Sequence, residues 1–225
     1  MTVKTNFHQN TAIKICGLTK SNQALQIASL GVNAIGVVGV KSSPRFLEED
    51  QRRRLFNELA NKNPEVERVW VIADMNDYDL AKGLEGNGAP TIVQLHGEET
   101  AEKCNELKKT YSTIKWWKAI RVRNQKDLMN ASEFNESIDA VLIDTWNNKA
   151  LGGTGERIPI EWLIEANFEI PWWLAGGVSP EWIEDALEKL NPFGIDASSK
   201  LEISPGIKDI NKVRSLIRSI RDKRI

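Results

Sequence analysis

Short, nearly continuous apolar runs alternate along this chain with longer stretches that carry apolar residues at helical spacing. The runs cover residues 12–16, 34–38, 66–73, 91–95, 113–122, 138–144, 170–175 and 193–197. Continuous rather than alternating hydrophobicity is how strands buried on both faces read. Between them, Ser179-Pro180-Glu181 places an N-cap, a first-turn proline and a first-turn acid in order. Trp182, Ile183, Ala186, Leu187 and Leu190 follow on one helical face. Ala24, Leu25, Ile27 and Ala28 precede Gly31, which reads as a C′ glycine. Val213, Leu216, Ile217 and Ile220 mark a final helix with basic residues at its end. The pattern predicts eight strands, seven clear helices and a weaker one over residues 159–166. Strict strand-then-helix alternation implies parallel pairing through right-handed crossovers. Eight units in 225 residues point to an α/β protein with a single closed (β/α)₈ barrel, which takes about 250 residues; a doubly wound open sheet is the alternative. Residues 1–11 read as a frayed N-terminal extension and residues 12–225 as the barrel.

Composition narrows the function. Thirty basic residues against 31 acidic ones give a net charge of −1, which argues against a nucleic-acid partner. No apolar run approaches the roughly 20 residues of a membrane span, and the N-terminus lacks a signal-type apolar segment. Cys16 and Cys104 are the only cysteines, too few for a disulfide framework, and the expected compartment is the cytoplasm. With only His8 and His96 besides, the expectation is no metal and no cofactor.

In a (β/α)₈ barrel, chemistry sits where strands end and βα loops begin. Those positions hold Cys16, then Ser43-Pro44-Arg45, then Gln94 and His96, which point the same way on one strand. Next come Asp144, the run Gly152-Gly153-Thr154-Gly155, the pair Gly176-Gly177, and Asp196 with Ser198-Ser199. Glycines leading into a helix expose N–H groups to a phosphate, or they simply fill turns. Cys16 is either a thiol base or a small buried hydrophobe. Asp144 is either a proton donor with a raised pKa or a cap or ion-pair partner. Arg45 is either a carboxylate clamp or a solvated charge, and His96 either a ligand contact or a structural histidine.

Taken in order, these blocks resemble the phosphoribosylanthranilate isomerase family of tryptophan biosynthesis: Lys14-Ile15-Cys16-Gly17-Leu18-Thr19, Ser43-Pro44-Arg45, Gln94-Leu95-His96-Gly97, Leu142-Ile143-Asp144-Thr145, Gly152-Gly153-Thr154-Gly155, Leu174-Ala175-Gly176-Gly177, Asp196-Ala197-Ser198-Ser199 and Pro205-Gly206-Ile207-Lys208-Asp209. The resemblance implies a TIM-barrel aldose–ketose isomerase that performs an Amadori rearrangement on a phosphorylated small molecule, without cofactor. It implies that Asp144 is the general acid and Cys16 the general base. It further implies that Arg45 holds the anthranilate carboxylate, and that Gln94, His96 and Asp196 contact substrate. Gly153, Gly155, Gly176, Gly177, Ser198 and Ser199 then form the phosphate side. Two departures stand out: Lys200 where the family carries glycine, and no aromatic residue over positions 36–40.

A histidine-pathway isomerase of the same fold is the nearest alternative, but it resembles this chain with an aspartate in place of Cys16. A non-catalytic phosphate-binding barrel is the alternative of a different class, supported only by Lys200. Trp116-Trp117 and Trp172-Trp173 are read as packing rather than stacking platforms, Cys104 as inert, and Trp146 as a residue lining the site. The expected assembly is a monomer.

Overall fold

The computed structural model describes residues 11–146 and 157–221. Eight strands, β1 (Ala12–Ile15), β2 (Ala34–Val38), β3 (Glu67–Ile72), β4 (Ile92–Leu95), β5 (Lys115–Val122), β6 (Ala140–Thr145), β7 (Trp172–Leu174) and β8 (Gly194–Ala197), form one closed parallel barrel. Closure comes from β8 pairing along the whole of β1, with Ala12 opposite Gly194 and Ile15 opposite Ala197. That ring excludes the open doubly wound sheet. The helices are α1 (Ser21–Ala28), α2 (Glu49–Lys62), α3 (Asp77–Leu84), α4 (Ala101–Thr110), α5 (Lys126–Met129), α6 (Ile160–Glu165), α7 (Pro180–Lys189) and α8 (Ile210–Arg221).

Period-two alternation splits each strand between two cores. Ile13, Ile15, Ile35 and Val37 face the helices and join Ile27, Leu55, Ile183 and Leu216 in the outer core. Ala12, Ala34, Val69, Ile92, Ala140 and Leu142 line the lumen. The tryptophans divide the same way: Trp116 belongs to the outer core, whereas Trp117 and Trp173 meet inside the barrel, ring centroids 4.6 Å apart. Packing is therefore their role, and truncating Trp117 to alanine should cost about 3–5 kcal/mol. Cys104 is fully buried in α4, and burial pushes its thiol up to about 11, as an inert cysteine requires.

Several local expectations need correction. The fifth helix is a single turn followed by a 3₁₀ segment, Asn130–Phe134. There the Asp127 carboxylate turns back to accept the N–H of Arg123 at 2.7 Å, which fixes the entry to that turn. Ser179 occupies the N-cap position of α7 but makes no capping bond; its hydroxyl accepts instead from Arg157 Nη2 at 3.2 Å. Gly31 takes its left-handed φ of +83° two residues beyond the Ser29 C-cap rather than at C′. After β8 the chain forms a 3₁₀ turn (Ser199–Leu201) and a small antiparallel hairpin, β9 (Glu202–Ser204) with β10 (Ile207–Lys208). Thr11, placed by the sequence reading in the N-terminal extension, is buried; residues 1–10 lie outside the described residues.

Candidate active site

Cys16, Arg45, Gln94, His96, Asp144, Asp196 and Ser198 line one cavity of about 70 Å³. Each comes from the carboxyl end of its strand or the first residues beyond, except Arg45, which comes from the loop between β2 and α2, so barrel closure brings β1, β2, β4, β6 and β8 together there. An adjoining cavity of about 40 Å³ is lined by Gly176, Gly177, Ser199 and again by Asp144, Asp196 and Ser198. The two share one wall. Of the predicted site residues, only Gly153 and Gly155 lie outside the described residues. A larger hollow of about 780 Å³ opens between the loops after β4, β5 and β6, but it contains neither Cys16 nor Asp144. Convergent titratable groups, rather than volume, mark the site. Trp146 faces that hollow, between Arg121 (4.6 Å) and Arg123 (5.1 Å), and does not line the Cys16–Asp144 cavity as expected.

A chain of polar contacts crosses the lumen. Lys14 Nζ donates to Asp196 Oδ2 at 2.8 Å and to Gln94 Oε1 at 2.9 Å. Because Oε1 accepts from lysine, the Gln94 amide nitrogen faces His96 Nδ1, 3.1 Å away, and must donate to it. His96 is held neutral down to about pH 3 by burial and by Lys118, Lys14 and Arg121. Its one ring proton is therefore on Nε2, which stands 3.5 Å from Asp144 Oδ2. That gap is too long for a hydrogen bond, and among the described residues the buried Nε2 has no partner, nor has Asp196 Oδ1. Buried polar atoms left open in a pocket are contacts awaiting a ligand.

The two acid–base candidates differ in environment. Burial, and then the Asp196 charge, push the Asp144 carboxyl from 3.8 to about 7, against the Thr145 N–H that donates to its Oδ1 at 2.8 Å. At neutral pH it is half protonated, as a proton donor needs to be. Burial likewise pushes the Cys16 thiol up, Lys14 and Lys208 pull it back, and Asp196 adds to the rise.

Arg45 is more constrained than a free carboxylate clamp. Its Nε and Nη2 donate to the two oxygens of Glu202 at 2.8 and 2.7 Å, and that bond holds the guanidinium above its ordinary value. Glu202 also accepts from Lys208 Nζ at 2.8 Å and from the Gly206 N–H at 3.1 Å. Burial opposes its ionisation, but Arg45 and Lys208 outweigh burial and hold the carboxyl below its usual range. Lys208, buried and lowered by that burial, reaches Ser198 Oγ at 3.2 Å, and Ser198 donates to the Cys16 carbonyl at 3.0 Å. The hairpin thus pins the ends of β1, β2 and β8. In the adjoining cavity Gly176 (φ +80°) is obligatory, because a Cβ there would lie 2.2 Å from Thr145 Oγ1. Gly177 also has positive φ (+63°), and its carbonyl accepts from Arg157 Nε at 3.2 Å. Lys200 is exposed in the 3₁₀ turn with no left-handed backbone to relieve, so lysine fits where the family has glycine.

Lys14, Glu202 and Lys208 were not expected to serve the site. Lys14 had a signal: a charge in the otherwise apolar run 12–16, two residues before Cys16 and hence on the same face. Glu202 had none, since its partner Arg45 is 157 residues away.

A closed barrel with a polar pocket at the carboxyl ends of its strands defines a (β/α)₈-barrel enzyme. The chain belongs to the N-(5'-phosphoribosyl)anthranilate isomerase family, whose model matches residues 13–219. An N-(5'-phosphoribosyl)anthranilate isomerase of Synechococcus elongatus is 40% identical over 212 residues, 92% of this chain and 95% of that protein. Among solved structures, one of generated monomers of the dimeric phosphoribosylanthranilate isomerase of Thermotoga maritima superposes with TM-score 0.77 at 28% identity, over 94% of this chain and 99% of that one. A phosphoribosyl anthranilate isomerase in complex with reduced 1-(o-carboxyphenylamino)-1-deoxyribulose 5-phosphate gives TM-score 0.75 at 29% identity, over 94% and 99%. No helix among the described residues is long and apolar enough to cross a membrane.

Proposed function

We propose that this chain isomerises N-(5-phosphoribosyl)anthranilate in tryptophan biosynthesis by an Amadori rearrangement, with Asp144 as general acid and Cys16 as general base. The observation that carries the reading is that Asp144, with its carboxyl at about 7, and Cys16 line one small pocket from opposite parts of the barrel. Asp144 gives its proton to the ribose ring oxygen as the C1′–O bond breaks, and the anilino nitrogen lone pair forms the C1′=N bond. The cationic imine acidifies C2′–H, Cys16 thiolate takes that proton, and the freed electron pair forms the enol-amine. A proton gained at C1′ and one lost from the 2′-oxygen then give the ketone. Protons alone move, so the groups needed are one donor and one acceptor.

Arg45, still held by Glu202, keeps Nη1 for the anthranilate carboxylate, while Asp196 Oδ1 and His96 Nε2 meet the sugar. Gly176, Gly177, Ser198 and Ser199 take the phosphate, completed by Gly153 and Gly155. The assembly is read as a monomer, because the exposed large apolar side chains Tyr78, Met129, Ile164, Phe193 and Ile203 come from five separate segments; sedimentation of the purified chain checks it. The function itself is tested by following substrate fluorescence with wild type and Cys16→Ala. Turnover by wild type and a loss of orders of magnitude in the variant supports the reading. Full activity of Cys16→Ala would remove the thiol from the mechanism, and an inert wild type that still binds a phosphorylated product analogue would favour a non-catalytic barrel.

A further inference from the structure

We propose that Lys14 is a positioning residue for this reaction, holding the Asp196 carboxylate and the Gln94 amide beneath the pocket and supplying the positive charge that stabilises the Cys16 thiolate. The proposal rests on the reading of Cys16 as base. Lys14 has no exposed surface, and a lysine in a barrel lumen is expensive unless its donors are all used. Two of its three N–H bonds go to Asp196 and Gln94, one across the β1–β8 pair and one across the lumen. The third is free for the neighbour two residues along the same face, which is Cys16. Geometry on the adjoining strand agrees: a Cβ on Gly36 would lie 2.7 Å from Cys16 Sγ and 3.1 Å from Lys14 Cε. The bare α-carbon of Gly36 is thus the floor on which both side chains lie together.

The charged groups facing Cys16 are Lys14 from its own strand, Arg45 from the loop after β2, Asp196 from β8 and Lys208 from β10. Arg45 and Lys208 are both tied to Glu202, which meets much of their charge. Lys14 is the cation shared between Asp196 and the thiol, and its own pKa is raised because those two partners outweigh its burial. It also fixes Asp196 by Oδ2, leaving Oδ1 as the open acceptor. One ammonium thus serves both the base and the sugar contact.

The test is the pH dependence of Cys16 alkylation by iodoacetamide, followed by peptide mass spectrometry with buried Cys104 as internal control, beside the pH profile of kcat/KM. Only the thiolate reacts, so the alkylation midpoint reads the Cys16 pKa. Lys14→Met should raise that midpoint by at least about one pH unit, making alkylation about tenfold slower near pH 7.5, and move the alkaline limb of kcat/KM up alike, because the thiol has the higher pKa of the acid–base pair and so sets that limb. Asp196→Asn should move the midpoint the opposite way, a sign reversal that general loosening of the barrel would not produce. If Lys14→Met does not fold, because Asp196 is left buried and unpaired, Lys14→Met/Asp196→Asn carries neither charge and should fold; its midpoint should still lie above wild type. A midpoint unchanged or lowered in the folded variant overturns the proposal. A raised alkylation midpoint with an unmoved kcat/KM limb would uphold the Lys14–thiol coupling and overturn Cys16 as base.

Discussion

Asp144→Asn should abolish turnover and, at neutral pH, make the protein more stable. The native carboxyl sits at about 7 against an ordinary 3.8, because it is buried beside Asp196. Between those values the native state holds a proton that the unfolded chain has released. Stability contributed by this group is therefore complete below about pH 4 and is lost as the pH rises through about 7. Three pH units at about 1.4 kcal/mol each come to a penalty on the order of 4 kcal/mol at pH 8. Asparagine keeps the shape and can still accept the Thr145 N–H, but it never ionises. Its amide also cannot give up an acidic proton, so turnover should fall by orders of magnitude. The assay is urea denaturation of both proteins from pH 4 to 9, plotted as the difference in unfolding free energy. His96, held neutral down to about pH 3, adds a slope of opposite sign between about 3 and 6.5, but it does so in both proteins. The difference should swing towards the variant by several kcal/mol between pH 4 and 8. A flat difference would mean that the native carboxyl is unperturbed, and a swing the other way that it is held low; either would remove Asp144 as a proton donor near neutrality.

Glu202→Gln should raise KM severalfold with little change in kcat, because Arg45 loses a bidentate partner and with it a fixed orientation; steady-state kinetics checks this, and unchanged KM would mean that Arg45 does not meet the substrate. Gly36→Ala should lower turnover at least tenfold while the chain stays folded, since the new methyl displaces Cys16 and Lys14 at a cost of about 1–3 kcal/mol; wild-type kinetics in a folded variant would show that the thiol position is not critical. Lys200→Gly should leave KM within about twofold, because the side chain is exposed and lines neither cavity, and should cost about 0.5–1 kcal/mol in thermal or urea unfolding. A large change in KM would place Lys200 on the phosphate.

Much of this protein is written locally and so can be read from the chain. Strand runs such as 138–144 and helix signals such as Ser179-Pro180 act over a few residues, and their strict alternation leaves only parallel topologies. The strand-end rule then names Cys16, Asp144 and Asp196 as neighbours of a common centre, because barrel closure carries every strand end to one mouth. Local reading fails where a bond crosses the chain. Arg45 looked free, yet its fork is filled by Glu202, carried on a hairpin that no hydrophobic pattern announced because it is short and half exposed. Trp146 looked close to the site by its spacing from Asp144, yet two arginines hold it at the neighbouring hollow.

The amino-acid order by itself determined the eight units, the class of the fold and the identity of the groups able to exchange protons. Their working values belong to the tertiary structure. A carboxyl titrates near 7 only when closure removes it from water beside a second carboxylate, and a histidine stays neutral down to about pH 3 only when it is buried and lysines and an arginine from other strands surround it. Lys14 shows both sides: its place two residues before Cys16 is sequence, but the Asp196 and Gln94 that hold it lie 182 and 80 residues away. Only the closed barrel makes them neighbours.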